Sequence, residues 1–207
     1  MTQTHGVWTS EEVALVLIDY QKEMFENVRS ETPQDQIELN VRFLIKAAKA
    51  FDIPVVLSTV GVEMGVNGPT RASIQEELPG LAVIDRTSMD AWEDAALRKA
   101  IEKTGKKRLI FGALYTEICL AFPVVDALRD GYEVMFVVDA VGGMSQLAHR
   151  TAVERLTAAG AIPNTSLALV TELFRDWKSP LADKAREVIK WYVPEAQKLA
   201  ASRSGSV

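Results

Sequence analysis

The sequence predicts an α/β domain built on a parallel sheet, and three features predict it. Apolar runs without alternation, such as Val13–Ile18 and residues 132–138, have the pattern of strands covered on both faces. Between them lie capped segments with a helical apolar stripe. Several runs also stop abruptly at a polar or reactive residue, and ligands bind beyond such strand ends in open parallel sheets.

The first run ends at Asp19. Thr32-Pro33-Gln34-Asp35 then reads as a helix start, with Thr32 as N-cap, Pro33 at the first helical position and Asp35 in the first turn. That helix is expected to reach residue 51, with Ile37, Val41, Leu44, Ile45 and Ala48 on one stripe. Asp52-Ile53-Pro54 stops it, and 55–58 is a second strand. A loop over 59–69 carries Gly61, Gly65, Gly68 and Pro69, and loops of this length often have a function. A short strand at 81–84 leads into Asp85-Arg86, and Asp90-Ala91-Trp92-Glu93 opens a helix ending before Gly105. Next come a strand at 107–111, a junction containing Cys119, and a helix through residue 130. Strand 132–138 ends in Asp139, and Ser145 caps a helix from 146 to 159 that Gly160 closes. A last strand is expected at 167–170, and Pro180 opens a terminal helix to residue 190.

The 207 residues suit one domain, 1–207, with a flexible leader at 1–10 and a flexible tail at 202–207. A net charge of −5 leaves no basic footprint, so neither nucleic acid nor an anionic membrane is an expected partner. No apolar run approaches the length of a membrane span. A single cysteine rules out an internal disulfide framework and suits a reducing, cytoplasmic setting.

The chain is organised around Gly112-Ala113-Leu114-Tyr115-Thr116-Glu117-Ile118-Cys119-Leu120-Ala121-Phe122-Pro123, where a strand hands over to a helix. Free N–H groups and the helix dipole at such a junction favour a thiolate and could hold an oxyanion. The plain alternative is a small buried hydrophobe. Asp19, Arg86, Cys119 and Asp139 all fall at strand ends, which puts acid, cation and thiol on one rim. Their plain alternatives are turn caps for the two aspartates and a solvated charge for Arg86. Dinucleotide, P-loop and G-x-S-x-G signatures are absent from the chain. Of the two histidines, His5 lies in the leader and His149 reads as a structural or helix-face residue, so no metal site is expected.

Together, the run ending in Asp19, Arg86 after a strand, and Gly112-x-x-x-Thr116-x-x-Cys119 resemble the isochorismatase-like cysteine hydrolase superfamily over residues 13–177. Asn67-Gly68-Pro69, Ala91-Trp92, the 116–123 segment and Arg175-Asp176-Trp177 are most similar to its YcaC-like branch. The resemblance implies a three-layer Rossmann-like fold with a six-stranded parallel sheet flanked by helices. It implies a triad of Asp19, Arg86 and Cys119 that cleaves an amide-type C–N bond of a small molecule through a Cys119 thioester. It further implies a cis peptide at Tyr115–Thr116, with the Thr116 and Cys119 N–H groups as oxyanion hole, and no cofactor. Glu117 and Trp177 are candidates for the substrate pocket, together with the 59–69 loop. Self-association is expected from the resemblance, with an octamer as candidate size, and also from the apolar breadth of the helix after Cys119.

Two departures from the superfamily pattern matter. Arg86 stands where Lys is commoner, and Asp52-Ile53-Pro54 lacks the histidine of the metal-binding motif. A planar guanidinium is expected to grip Asp19 bidentately and to lower its pKa, leaving a resting thiol beside a carboxylate. The competing class is a non-catalytic or redox-responsive small-ligand protein on the same fold.

Overall fold

β1 (Val13–Ile18) is buried at all six positions, as a strand without polar alternation must be, and the sheet is built outward from it. The computed structural model describes residues 6–204. After β1 come α1 (Lys22–Glu26), α2 (Gln34–Ala50), β2 (Val55–Val60), α3 (Ala72–Gln75), β3 (Val83–Arg86), α4 (Ala95–Lys103) and β4 (Arg108–Ala113). α5 (Ala121–Arg129), β5 (Glu133–Val137), α6 (Gln146–Ala158), β6 (Ile162–Asn164), α7 (Ser166–Phe174) and α8 (Ala182–Ser204) complete the order. The six strands form one sheet in the order β3-β2-β1-β4-β5-β6, and every neighbouring pair is parallel.

Because side chains alternate along a strand, β1 feeds two cores. Leu15 and Leu17 pack with Ile37, Val41 and Leu44 of α2 and with Leu169 and Tyr192 of α7 and α8. Ala14, Val16 and Ile18 pack on the other face with Leu97, Phe111 and Val124. Fully burying each such aliphatic or aromatic side chain is worth about 1.5–3 kcal/mol, so the sheet is clamped from both sides. α5 buries Ala121, Val124 and Ala127 but leaves Phe122, Val125 and Leu128 half-buried.

Several boundaries differ from expectation. Residues 167–170 are helical, inside α7, and the sixth strand is Ile162–Asn164. Asp139 causes this: its carboxylate accepts from the Ser166 N–H at 2.8 Å and the Ser166 hydroxyl at 2.9 Å, which fixes a helix start there. Asp139 therefore has the capping role and does not join the reactive rim. Asp90 opens only a 3₁₀ turn at Ala91–Glu93, and Asp94 caps α4 by accepting from Leu97 N–H at 2.8 Å. α8 continues past Pro194 to Ser204: Val188 and Tyr192 are held in the core before the proline, with Tyr192 donating to Asn40 at 2.8 Å, and Ala196 and Leu199 pack against the same core beyond it. The leader is packed from Trp8, which is buried with its N–H on Glu172 at 2.7 Å. Residues 1–5, including His5, and 205–207 lie outside the described residues. Among the described residues, no helix is long and apolar enough to cross a membrane.

Candidate active site

The sheet's carboxyl ends bring Asp19, Arg86 and Cys119 together. Asp19 follows β1 with φ of 59°, a left-handed conformation uncommon outside glycine. Arg86 is the last residue of β3, two strands away. Cys119 sits on a π-helical turn, Thr116–Leu120, which joins β4 to α5. All three are buried, Cys119 being 4% exposed.

Arg86 Nη2 donates to Asp19 Oδ2 at 2.5 Å, with both side chains fully enclosed. The grip is single, not the expected bidentate one. The second arm, Nη1, donates to the Ser88 carbonyl, and Nε has no partner among the described residues. Ser88 lies two residues beyond Arg86, so its carbonyl takes the arm that would have closed the fork. Asp19 Oδ1 has no donor in good hydrogen-bond geometry among the described residues, although the Cys119 thiol and the Asp19 carboxylate are hydrogen-bond neighbours. The thiol thus lies beside the carboxylate without a well-aligned bond at rest.

Burial dominates the electrostatics. It raises Asp19 to about 6, against the pull of Arg86 and the thiol. It pushes Cys119 up to about 12, helped by the neighbouring Asp19 charge and opposed by Arg86 and by a hydrogen bond from the Tyr115 N–H. The expected lowering of Asp19 and the favoured thiolate are both overturned, because removing a charge from water outweighs one cation beside it. A resting thiol next to a carboxylate remains the state at neutral pH.

The cis peptide bond is Leu114–Tyr115, one bond earlier than expected. Leu114 bridges to Gly142, and the Thr116 N–H donates to the Gly142 carbonyl at 3.0 Å, so Thr116 extends the ladder and its N–H is spent. The Tyr115 N–H is directed at the Cys119 sulfur. Glu117 is half-buried and turns to the neighbouring loop, where Oε1 accepts from Met144 N–H at 2.9 Å and Oε2 is unpartnered. Trp177 does not join the site. It is 56% exposed, packs on Phe174 at 4.7 Å, and follows Arg175, which donates to the carbonyls of Val7 and Trp8 ahead of β1. α7 starts at Ser166, beside Asp139, and ends where Arg175 reaches the carbonyls of Val7 and Trp8 ahead of β1, carrying Trp177 away from the rim.

Three residues support the site: His149, in the structural role read for it, and Tyr20 and Gln21, which the sequence reading left unmarked. His149 Nδ1 and Thr116 Oγ1 share a buried hydrogen bond of 2.9 Å, tying α6 to the nucleophile's turn, and burial lowers the His149 pKa. Gln21 braces the loop after β2, donating to the carbonyls of Val60 at 3.2 Å and Gly68 at 2.6 Å and accepting from Val60 N–H at 3.0 Å. Tyr20 donates to the Ala140 carbonyl at 2.6 Å, passing over Gly112, where a Cβ would lie 2.4 Å from its hydroxyl. The only available signal was proximity to Asp19 for Tyr20 and Gln21; nothing local marks His149 as the partner of Thr116. Among the described residues, no group of three or more His, Cys, Asp or Glu side chains is placed to hold a metal ion.

The Isochorismatase domain model matches residues 13–167 of this chain. The probable hydrolase YcaC of Escherichia coli is 32% identical over 203 residues, covering 98% of this chain and 96% of that protein. YcaC from Pseudomonas aeruginosa, solved with hexane-2,5-diol and covalent acrylamide, superposes with a TM-score of 0.86 at 31% identity, covering 98% of this chain and all of that one. The E. coli YcaC crystal structure, described as an octameric hydrolase of unknown specificity, gives 0.86 at 31% identity with both chains fully covered.

Proposed function

This chain belongs to the isochorismatase domain family and is a YcaC-like hydrolase, and from that premise we propose that it is a cysteine hydrolase cleaving an amide-type C–N bond of a small molecule. The observation that carries the reading is the buried Cys119 thiol beside an Asp19 carboxylate whose other oxygen is held by Arg86. In the first half, Asp19 takes the thiol proton as sulfur bonds to the carbonyl carbon, and the carbonyl electron pair moves onto oxygen. The Tyr115 and Cys119 N–H groups receive that oxyanion; one such donor is typically worth about 2.7–4 kcal/mol in the transition state. As the carbonyl re-forms, the C–N bond breaks, protonated Asp19 gives its proton to nitrogen, and the amine leaves. In the second half Asp19 takes a proton from water, the hydroxide attacks the thioester, the C–S bond breaks, and the thiol is restored as the acid departs.

With a pKa of about 6, Asp19 is ionised at neutral pH yet basic enough to accept a proton. Arg86 keeps its charge throughout and steadies the carboxylate. The P. aeruginosa relative holds covalent acrylamide, which makes acrylamide a suitable probe of the same chemistry here. Self-association into eight chains is part of this reading, supported by the octameric relative and by the half-buried Phe122, Val125 and Leu128 on α5, as is a cytoplasmic location.

The test is a panel of small amides, ureas and carbamates, with intact mass used to detect acyl-Cys119. An acyl adduct that forms and decays with product release supports the hydrolase. An unacylated thiol with no turnover across the panel would leave a non-catalytic binding protein.

A further inference from the structure

The short helix after Asp19 and the end of the 59–69 loop enclose a second feature. A cavity of about 400 Å³, within the range of small-molecule sites, is lined by α1 and by residues 68–72. Two polar groups in its wall have no partner among the described residues. Thr70 is 4% exposed and its hydroxyl bonds to nothing; Glu23 Oε2 is likewise buried and unbonded. A buried polar group left unsatisfied is costly, so two in one cavity wall call for an occupant.

The charges around the cavity say which kind. Arg71 is committed, paired with Glu38 at 3.1 Å and seated over the Phe25 ring at 4.8 Å. Lys22 and Glu26 pair with each other at 3.6 Å at the exposed edge. Glu23 is then the charged lining residue without an opposite charge. Space is reserved for its carboxylate: a Cβ on Gly68 would fall 3.1 Å from Glu23 Oε1. Gln21 fixes the Gly68 carbonyl, so the wall opposite Glu23 is held in place.

We propose that this cavity is a recognition site for a small organic cation, an ammonium or guanidinium group whose N–H donors meet the Glu23 carboxylate and the Thr70 hydroxyl. A carboxylate without a counter-charge favours a cation over a neutral amide, and the hydroxyl adds a directional partner. The test reads binding alone and needs no turnover at Cys119.

Calorimetric titration of the full chain with n-butylamine and methylguanidine should show binding, with butyramide at least tenfold weaker and butyrate silent. Glu23→Gln, which keeps the shape and removes the charge, should weaken the cations at least tenfold, and Gly68→Ala, which presses on the end of the Glu23 side chain, should change affinity less than Glu23→Gln does. Glu26→Gln should change affinity less than threefold. Absence of cation binding to the wild type would overturn the proposal. So would equal affinity in wild type and Glu23→Gln, or butyramide binding as tightly as butylamine.

Discussion

Arg86 reaches Asp19 with one arm only: Nη2 is on Oδ2, and Nη1 is spent on the Ser88 carbonyl. A single contact is something an ammonium can also make. Arg86→Lys should therefore keep Cys119 alkylation within about tenfold of wild type, or about 1.4 kcal/mol. Arg86→Ala removes the one cation beside Asp19 and should move the acid limb of the rate profile to higher pH. The rate of acrylamide addition against pH in the three proteins checks this, and Lys behaving like Ala would refute the single-contact reading.

The pH profile itself is predicted. Asp19 titrates near 6 and the Cys119 thiol near 12, so reactivity assisted by Asp19 should climb between about pH 5 and 7 and then stay level through the alkaline range. Asp19→Asn should abolish the climb and leave a rate that rises only with hydroxide. A wild-type profile rising steadily through pH 8–10 with no step near 6 would mean Asp19 is not the base.

The bond between His149 and Thr116 should position the nucleophile's turn. His149→Ala leaves the buried Thr116 hydroxyl unpaired, at a cost of about 1–3 kcal/mol, and should slow Cys119 alkylation. His149→Asn, whose amide can occupy the place of Nδ1, should restore much of the rate, and His149→Gln should not. The folded state lowers the His149 pKa, so its part in stability is present above the unfolded value and is lost as pH falls through the window below about 6.5. Asp19 acts in the opposite sense: its folded pKa is raised, so protonation near 6 adds stability as pH falls. The signal is thus the difference in urea midpoint between wild type and His149→Asn, which should shrink on acidification. A difference independent of pH would show that His149 ionisation plays no part.

The half-buried face of α5 should be an interface. Val125→Asp should dissociate a multi-chain species by light scattering while the far-ultraviolet circular dichroism stays native. A wild type that already scatters as one chain would refute it.

Burial pattern and strand ends made much of this legible beforehand. The continuous apolar run of β1 announces a doubly covered strand, and of the four strand-end residues read as one rim, Asp19, Arg86 and Cys119 meet there while Asp139 caps α7. Leu167-Ala168-Leu169-Val170 reads as a strand yet is helical, because a short apolar run fits a strand or a buried helix equally well. The arbiter, Asp139 on Ser166, spans 27 residues and leaves no local mark. The expected lowering of Asp19 and the expected favouring of the Cys119 thiolate fail for a similar reason, although the resting thiol and carboxylate hold. Spacing along a chain shows which groups meet, while the depth at which they meet, which sets both pKa values, belongs to the folded whole.

Tyr20 crosses Gly112 so closely that the two positions should be inherited as a pair. A chain that acquires alanine at 112 keeps its fold only if residue 20 gives up the hydroxyl that a Cβ would strike. Relatives with a larger residue at 112 are therefore expected to carry phenylalanine or something smaller at 20, and to satisfy the Ala140 carbonyl in another way. Gly112→Ala alone should be severely destabilised, and adding Tyr20→Phe should recover part of the loss, giving a coupling that sequence variation would record as correlated change at two sites 92 positions apart.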